Sequence, residues 1–278
     1  VNANPRRITL ADGTVLETRD SHVARLVDAT RICWRNENSR ARQDDNMKVF
    51  ERALDFVKDG DRVGLGTGHA ASAFVHALAA RVRTGLSIQA VATSEATTAQ
   101  AVELGIALTS LEQVEGLDVM FDGADEVDPN IDLIKGYGGA LVRERVVAAA
   151  SNRLIILVGS EKLVPVLGSR GRLPVEVVPF ALPLCRRRLE ALGLPALPRA
   201  RAGGLLLSDN GNALLDCAVG PIASPRELAA EINSIPGVVG TGLFLGLADV
   251  VLVQSDDDVV VLSRSGVNAP PQSPVQSG

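Results

Sequence analysis

Aromatic residues are scarce: Phe, Tyr and Trp make up only 3% of the 278 residues, while 46% are hydrophobic. The interior therefore has to be built from Val, Leu, Ile and Ala, which suits parallel strands covered by helices on both faces. A chain of this length can bury one large domain, or a large domain with a smaller one attached. An excess of positive charge is also missing. The formal net charge is −5, which provides no general attraction for a polyanion and argues against a nucleic-acid partner. Three cysteines (Cys33, Cys185, Cys217) have no paired spacing, so neither a disulfide framework nor a zinc site is indicated and a reducing, cytoplasmic location is expected. No apolar run reaches membrane-spanning length, and the first residues lack the basic-then-apolar layout of a signal peptide; no membrane partner is expected. Lysine is rare as well. Of 28 Lys plus Arg, only Lys48, Lys58, Lys135 and Lys162 are lysines, which marks them as candidates for places where a compact, titratable ammonium is wanted. Lys48 and Lys58 fall on an amphipathic stretch and read as surface residues.

The chain divides into four parts. Residues 1–44 form a polar, arginine-rich extension with a hairpin signal at Asp12-Gly13 and a possible short helix over 22–34; an interface arm and a loosely ordered extension both fit. Residues 45–172 together with 249–264 read as the main α/β domain, Rossmann-like with a mostly parallel sheet and helices on both faces. Residues 173–248 read as a smaller ferredoxin-like α+β domain, because strand, helix, two strands, helix and strand follow in that order, with a tight turn expected at Asp209-Asn-Gly-Asn between strands at 204–208 and 213–217. Residues 265–278, rich in Pro, Ser and Gln, read as a disordered tail.

One stretch dominates the chemistry. After the apolar strand 117–121 come Asp122-Gly-Ala-Asp-Glu-Val-Asp128, then Lys135-Gly-Tyr-Gly-Gly139, then a helix over 140–150 that carries Glu144. In an open α/β sheet, ligands collect beyond the carboxyl ends of the strands. If the strands are parallel, the loop Gly66-Thr67-Gly68-His69 after strand 62–65, Thr93-Ser94 after strand 87–92, Asp122, and Lys162 after strand 153–158 share one edge. Gly66, Gly68 and Ala71 also fit the dinucleotide form G-x-G-x-x-A, but no ribose-binding acid stands about twenty residues further on. Four acids within seven residues (Asp122, Asp125, Glu126, Asp128) raise a divalent metal as an alternative; it ranks below a metal-free site in which the lysines supply the positive charge. Paired-carboxylate glycoside hydrolysis lacks a second acid across a cleft. A carboxylate, lysines and a glycine-rich backbone match proton transfer next to a carbonyl, where an ammonium and fixed N–H groups stabilise an enediolate. Glu144 is then either a partly desolvated base or an ordinary exposed glutamate between two arginines.

The same residues carry a resemblance. Asp122-Gly-Ala-Asp-Glu-Val-Asp, Lys135-Gly-x-Gly and Arg143-Glu144, with Gly66-Thr67-Gly68, Ser160-x-Lys162, Leu173-Pro-Val-Glu-Val, Asp209-Asn-Gly-Asn and Ile235-Pro-Gly-Val-Val, resemble the type A ribose-5-phosphate isomerases in order over about residues 45–260. The resemblance implies an aldose-ketose isomerase that acts on a small-molecule sugar phosphate through an enediolate, with no cofactor and no metal, as a homodimer or homotetramer. It also implies roles: Glu144 as the base between C1 and C2, Asp122 and Asp125 on substrate hydroxyls, Lys135 with the N–H groups of Gly136 and Gly138 on the oxyanion, and Thr67 and Lys162 on the sugar phosphate. Gly66, Gly68, His69, Thr93, Ser94 and Tyr137 complete the expected binding set. Four positions depart from the family: His69 and Ala70 replace hydroxyl residues, Asn46 stands at a lysine position, and Tyr137 replaces a glycine. Besides ribose 5-phosphate, two alternatives stay open, the same chemistry on a different or unphosphorylated sugar, and a sugar-phosphate-binding paralogue without turnover.

Overall fold

A computed structural model of the chain describes residues 6–9, 15–18, 34–35, 49–201, 204–255 and 258–264. Asp12-Gly13, Cys33, Asn46, Lys48, the tail and all of the expected helix 22–34 except Trp34 lie outside these residues. In chain order the elements begin with β1 (Arg6–Thr9), β2 (Val15–Thr18), β3 (Trp34–Arg35), α1 (Val49–Leu54), β4 (Arg62–Leu65), α2 (His69–Arg83), β5 (Gln89–Ala92) and α3 (Glu95–Glu103). They continue with β6 (Val119–Asp122), β7 (Glu126–Val127), β8 (Leu133–Ile134), α4 (Leu141–Ala149), β9 (Leu154–Gly159), β10 (Arg172–Val177), α5 (Leu182–Ala191), β11 (Ala196–Pro198), β12 (Ala200–Arg201) and β13 (Gly204–Leu205). The last are β14 (Ala213–Ala218), α6 (Pro225–Asn233), β15 (Val238–Thr241), β16 (Leu243–Phe244), β17 (Val250–Ser255) and β18 (Asp258–Ser263).

The main sheet has seven strands in the order β3-β18-β17-β9-β6-β4-β5. From β17 to β5 every pairing is parallel; β18 and β3 close one side antiparallel. Trp34, expected at a helix end, thus belongs to an edge strand. β4 has β5 on one side and β6 on the other, so the chain reverses its direction of travel across the sheet there. Such a switch point opens a crevice beyond the strand ends, here at the carboxyl ends of β4 and β6, which lead into Gly66 and end in Asp122.

Strand side chains alternate between faces, and the apolar residues divide accordingly. Val119, Phe121, Ile155, Leu157, Val250 and Leu252 join the α1 and α2 side, where Phe74 and Leu78 are fully buried. Met120, Leu154, Ile156, Val251 and Val253 face the other way, with Leu141 and Val147 of α4. Few as the aromatics are, two of them meet at the centre: Phe74 of α2 stacks on Phe121 of β6 with ring centroids 4.1 Å apart.

β10, β11, β14 and β15 form a separate antiparallel sheet in the order β11-β14-β10-β15, the arrangement of a split βαβ unit with α5 and α6 as its crossovers. Val175, Leu189, Leu215 and Ile232 form its apolar cluster, which also takes in Ile134, Val164 and Leu167. One expectation is corrected here. The strand over 204–208 pairs with β14 only through a single bridge, Leu207 to Ala213, whereas β11 supplies the ladder, with Ala196 opposite Cys217. The turn at 208–212 exists, closed by Ser208 N–H to Asn212 O at 2.8 Å. Its side chains, however, are drawn onto the buried Glu176 carboxylate, which accepts from Ser208, Asn210 and Asn212. A short sheet of β16, β8 and β7 lies between the two larger ones and delivers Lys135 to their junction, where its N–H donates to Gly242 O at 2.9 Å.

Phe74→Ala tests this reading of the core. It should destabilise the fold by about 3–5 kcal/mol, measured by urea unfolding; a loss below about 1 kcal/mol would mean that the stacked pair does not organise the α2 face.

Candidate active site

The floor of the crevice is made by three charged side chains shut away from water. Asp122 ends β6, and its carboxyl lies directly against Gly66, where a β-carbon would overlap it; close approach, not backbone strain, requires the glycine. Oδ1 of Asp122 accepts from the N–H groups of Gly123 at 2.7 Å and Thr67 at 3.3 Å. Oδ2 lies 2.8 Å from Lys135 Nζ. Lys135 also donates to Gly123 O at 2.6 Å, stands 3.3 Å from Oε2 of Glu144, and has the Phe244 ring centroid 5.6 Å away. Lys135, Asp122 and Glu144 are 3%, 0% and 2% exposed. Glu144, open to two readings in the sequence, is therefore a buried residue of the first turns of α4 and not a surface glutamate.

Two carboxylates facing one ammonium cannot both be fully compensated. Asp122 Oδ2 and Glu144 Oε2 reach Lys135 at ion-pair distance without hydrogen-bond geometry. Burial raises the Glu144 carboxyl, the Asp122 charge raises it further, and Lys135 only partly offsets them; the result is pushed up to about 8. Burial raises Asp122 as well, against the pull of Lys135. For Lys135, burial alone would lower the ammonium, but the charges of Asp122 and Glu144 outweigh it and raise it above the ordinary lysine value. Asp125 is raised by burial, opposed first by the Tyr137 N–H and then by Lys135 and Lys162.

One wall is a chain of hydroxyls. Thr67 Oγ1 lies 2.7 Å from Thr93 Oγ1, and Thr97 donates to Gly66 O at 2.9 Å. Ser94 accepts from Thr97 N–H and caps α3. α2 opens next to this wall. Gly68, at φ 106°, precedes its first turn without any side-chain cap, Gly68 and His69 are exposed, and a β-carbon on Gly123 would meet that of Ala70 at 3.4 Å. The outward N–H groups and positive end of α2 thus face the crevice. On the opposite side run Gly136 at φ 103° and Gly139 at φ 90°. Gly138 is exposed, and a β-carbon there would stand 3.9 Å from the Thr67 methyl.

The four neighbouring acids separate. Asp125 accepts from Tyr137 N–H at 2.9 Å; Glu126 accepts from the N–H groups of Gly168 and Arg170; Asp128 accepts from those of Asn130 and Asp132. Among the described residues no group of His, Cys, Asp or Glu could hold a metal ion. The Tyr137 phenol donates to Arg172 O at 3.2 Å and its ring lies under the Arg172 guanidinium at 4.5 Å, so this side chain is engaged at the junction with β10. Lys162 is half-buried; its charge acts on Asp125, and it forms none of the ion pairs of the buried triad.

The family model for ribose 5-phosphate isomerase A (phosphoriboisomerase A) matches residues 89–258. The chain belongs to this family. A ribose-5-phosphate isomerase A of Gloeobacter violaceus is 51% identical over 215 residues, 77% of this chain and 94% of that one. One from Roseiflexus sp. is 49% identical over 225 residues, 79% and 97% of the two chains. The solved ribose 5-phosphate isomerase A of Methanocaldococcus jannaschii superposes with a TM-score of 0.75 at 38% identity, covering 78% of this chain and 97% of that one. A D-ribose-5-phosphate isomerase in complex with phospho-erythronic acid superposes equally well, at 36% identity and over 78% and 96% of the chains.

The sequence assigns no role to three arginines around this isomerase-family site, although Arg143 stands in the family motif beside Glu144. Arg199 donates to the carbonyls of Gly136 and Tyr137, and Arg143 holds the 208–212 turn through Asp209 O and Asn210 Oδ1. Arg145 stacks on Phe244 at 4.2 Å and donates to Thr241 O and Leu243 O. Arginines are common along this chain, and nothing in the spacing separates Arg199 and Arg145 from surface ones.

Two expectations follow. Because the folded-state Glu144 carboxyl is raised from 4.5 to about 8, the native protein holds more protons than the unfolded chain between those values, and its stability falls as pH rises through them. Glu144→Gln removes that dependence, so its melting temperature relative to the parent should climb from pH 5 to pH 9; a constant difference contradicts a raised Glu144. Gly66→Ala should displace Asp122 and lower the melting temperature by several degrees, with activity falling alongside; unchanged activity and melting would refute the close approach.

Proposed function

We propose that the chain interconverts ribose 5-phosphate and ribulose 5-phosphate through an enediolate. The observation that carries this is the Asp122, Lys135 and Glu144 cluster, in which a buried carboxyl of raised basicity stands beside a buried ammonium. Family membership and the sugar-phosphate relatives support it.

In this reading Glu144 takes the proton from C2 of the open-chain aldose, and the C2–H electron pair becomes the C1–C2 double bond. Negative charge moves to O1, where Lys135 and the N–H groups of Gly136 and Gly138 receive it. Protonated Glu144 returns the proton to C1, while the O2 proton passes to O1 with Asp122 or Asp125 as its carrier. Asp125, the less deeply buried of the two, is the better placed to touch substrate hydroxyls and assist ring opening. The phosphate is held by the open end of α2 from Gly68 to His69, with Thr67 and Lys162. The α2 backbone donors do not depend on side-chain identity, so the replacement of hydroxyl residues by His69 and Ala70 is compatible with a phosphorylated substrate. The sugar neither gains nor loses electrons overall, so the scheme calls for no redox cofactor.

The reading extends to a cytoplasmic homodimer or homotetramer, with residues 45–172 and 249–264 as the catalytic domain and 173–248 as the smaller one. The unpaired, buried thiols of Cys185 and Cys217 suit a reducing compartment. The separate seven-stranded and four-stranded sheets support the division.

Incubation with ribose 5-phosphate in deuterated water tests the proposal: ribulose 5-phosphate should form, and Glu144→Gln should lower kcat roughly 10²–10⁴-fold while binding persists. Absence of turnover on ribose 5-phosphate, or a fully active Glu144→Gln, overturns it. The acid limb of kcat/KM should inflect well above the glutamate value of 4.5, toward about 8, because the base acts only when deprotonated. An inflection near 4.5 would assign the proton transfer to another group.

A further inference from the structure

Arg199 reaches from the chain between β11 and β12 to the glycine loop of the triad. Its side chain is only 11% exposed. Nη1 donates to Gly136 O at 3.2 Å and to Tyr137 O at 3.0 Å. The rest of the guanidinium is fixed by a two-point bond to Asp216, Nε to Oδ2 at 3.0 Å and Nη2 to Oδ1 at 2.6 Å, and Arg172 binds the same carboxylate at 2.7 Å. Burial alone would raise the Asp216 carboxyl, but the hydrogen bonds and charges of both arginines together outweigh it and keep it below its usual range. Arg199 N–H itself donates to Leu214 O of β14 at 2.8 Å. The whole device is therefore anchored in the small sheet.

Pinning two successive carbonyls sets two successive peptide planes. A trans peptide is planar, with its C=O and N–H pointing in opposite directions. In the peptide joining Gly136 to Tyr137, the carbonyl goes to Arg199 and the N–H to Asp125 Oδ2 at 2.9 Å, so both ends are held. In the next peptide the Tyr137 carbonyl goes to Arg199, which turns the Gly138 N–H away from Arg199. Gly138 is the exposed glycine beside Thr67, at the mouth of the crevice. Gly136 O also accepts from Gly139 N–H at 3.1 Å, which closes a turn around the peptide joining Tyr137 to Gly138, and Arg199 holds the carbonyl of that central peptide; without the guanidinium this peptide is freer to rotate and present a carbonyl where an oxyanion develops.

We propose that Arg199, oriented by Asp216, is the positioning residue that aims the Gly138 N–H at the oxyanion of the isomerisation, so that the small sheet takes part in catalysis without touching the sugar. This rests on the isomerase reading above. It explains why a planar, forked cation stands here: a lysine offers a single point of charge and could not hold both carbonyls and the Asp216 carboxylate together.

The test compares the full-length parent with Arg199→Ala, Arg199→Lys and Asp216→Asn. Arg199→Ala should lose roughly 10²-fold in kcat, as for removal of one oxyanion donor, with KM for ribose 5-phosphate within about threefold. Affinity for phospho-erythronic acid, whose planar carboxylate stands in for the enediolate, should fall by a factor similar to kcat. Low-millimolar guanidinium should restore part of kcat in Arg199→Ala and none in Glu144→Gln. Arg199→Lys and Asp216→Asn should show smaller losses of the same kind, and they decide the matter if Arg199→Ala does not fold. Parent-like kcat in the Arg199 variants, or a loss confined to KM or to melting temperature with no guanidinium rescue, overturns the positioning role while leaving the isomerase reading intact. No turnover by the parent overturns the isomerase reading, and this proposal with it.

Discussion

A single buried ammonium shared by two buried carboxylates is the constraint on which the rest of the structure turns. Lys135 neutralises one negative charge, and Asp122 at 2.8 Å holds the stronger claim to it than Glu144 at 3.3 Å. Removing all three from water strengthens their interaction and at the same time penalises the charge left over. That penalty falls on Glu144, the carboxyl with the poorer partner. A group that would be a weak base in water thereby becomes a base suited to neutral pH. The destabilisation is local and is held in place by apolar packing around the cluster, with Leu141 at the start of α4 and Phe244 beside the ammonium.

Each member of the cluster comes from a different element, so the fold has to bring them together with little slack. The parallel pairing of β4 and β6 sets Gly66 against Asp122; the short sheet of β7, β8 and β16 delivers Lys135; α4 presents Glu144. The junction between the two larger sheets is polar for the same reason. Arg199, Asp216, Arg172 and Tyr137 interlock there, and they hold the backbone of the loop that faces the cluster. What looks like an appended small sheet is, in this account, the outer half of the site's frame.

Much of this was legible in the sequence, for identifiable reasons. Short apolar runs bounded by Gly or charged residues located β4, β6, β9 and β17, because strands buried on both faces leave that pattern. Parallel order then put Gly66, Thr93, Asp122 and Lys162 on one edge. The rarity of lysine singled out Lys135. Legibility ended where a local pattern was overruled by a distant side chain. The 204–208 stretch resembles a strand, but Glu176 collects the turn side chains, and β11, a short run between prolines, takes the ladder. The burial of Glu144 could not be read from its arginine neighbours, since one turn of helix separates exposed from buried positions. Tyr137 looked like an intrusion among the binding glycines; its phenol is instead bound at β10, and its N–H serves Asp125.

The central claim is that the fold itself, before any sugar binds, raises Glu144. The most direct measurement is the titration of the Glu144 side-chain carboxyl by ¹³C NMR in the free protein, with the resonance assigned by its loss in Glu144→Gln. The account predicts an inflection near about 8. An inflection near the ordinary glutamate value of 4.5 would contradict it.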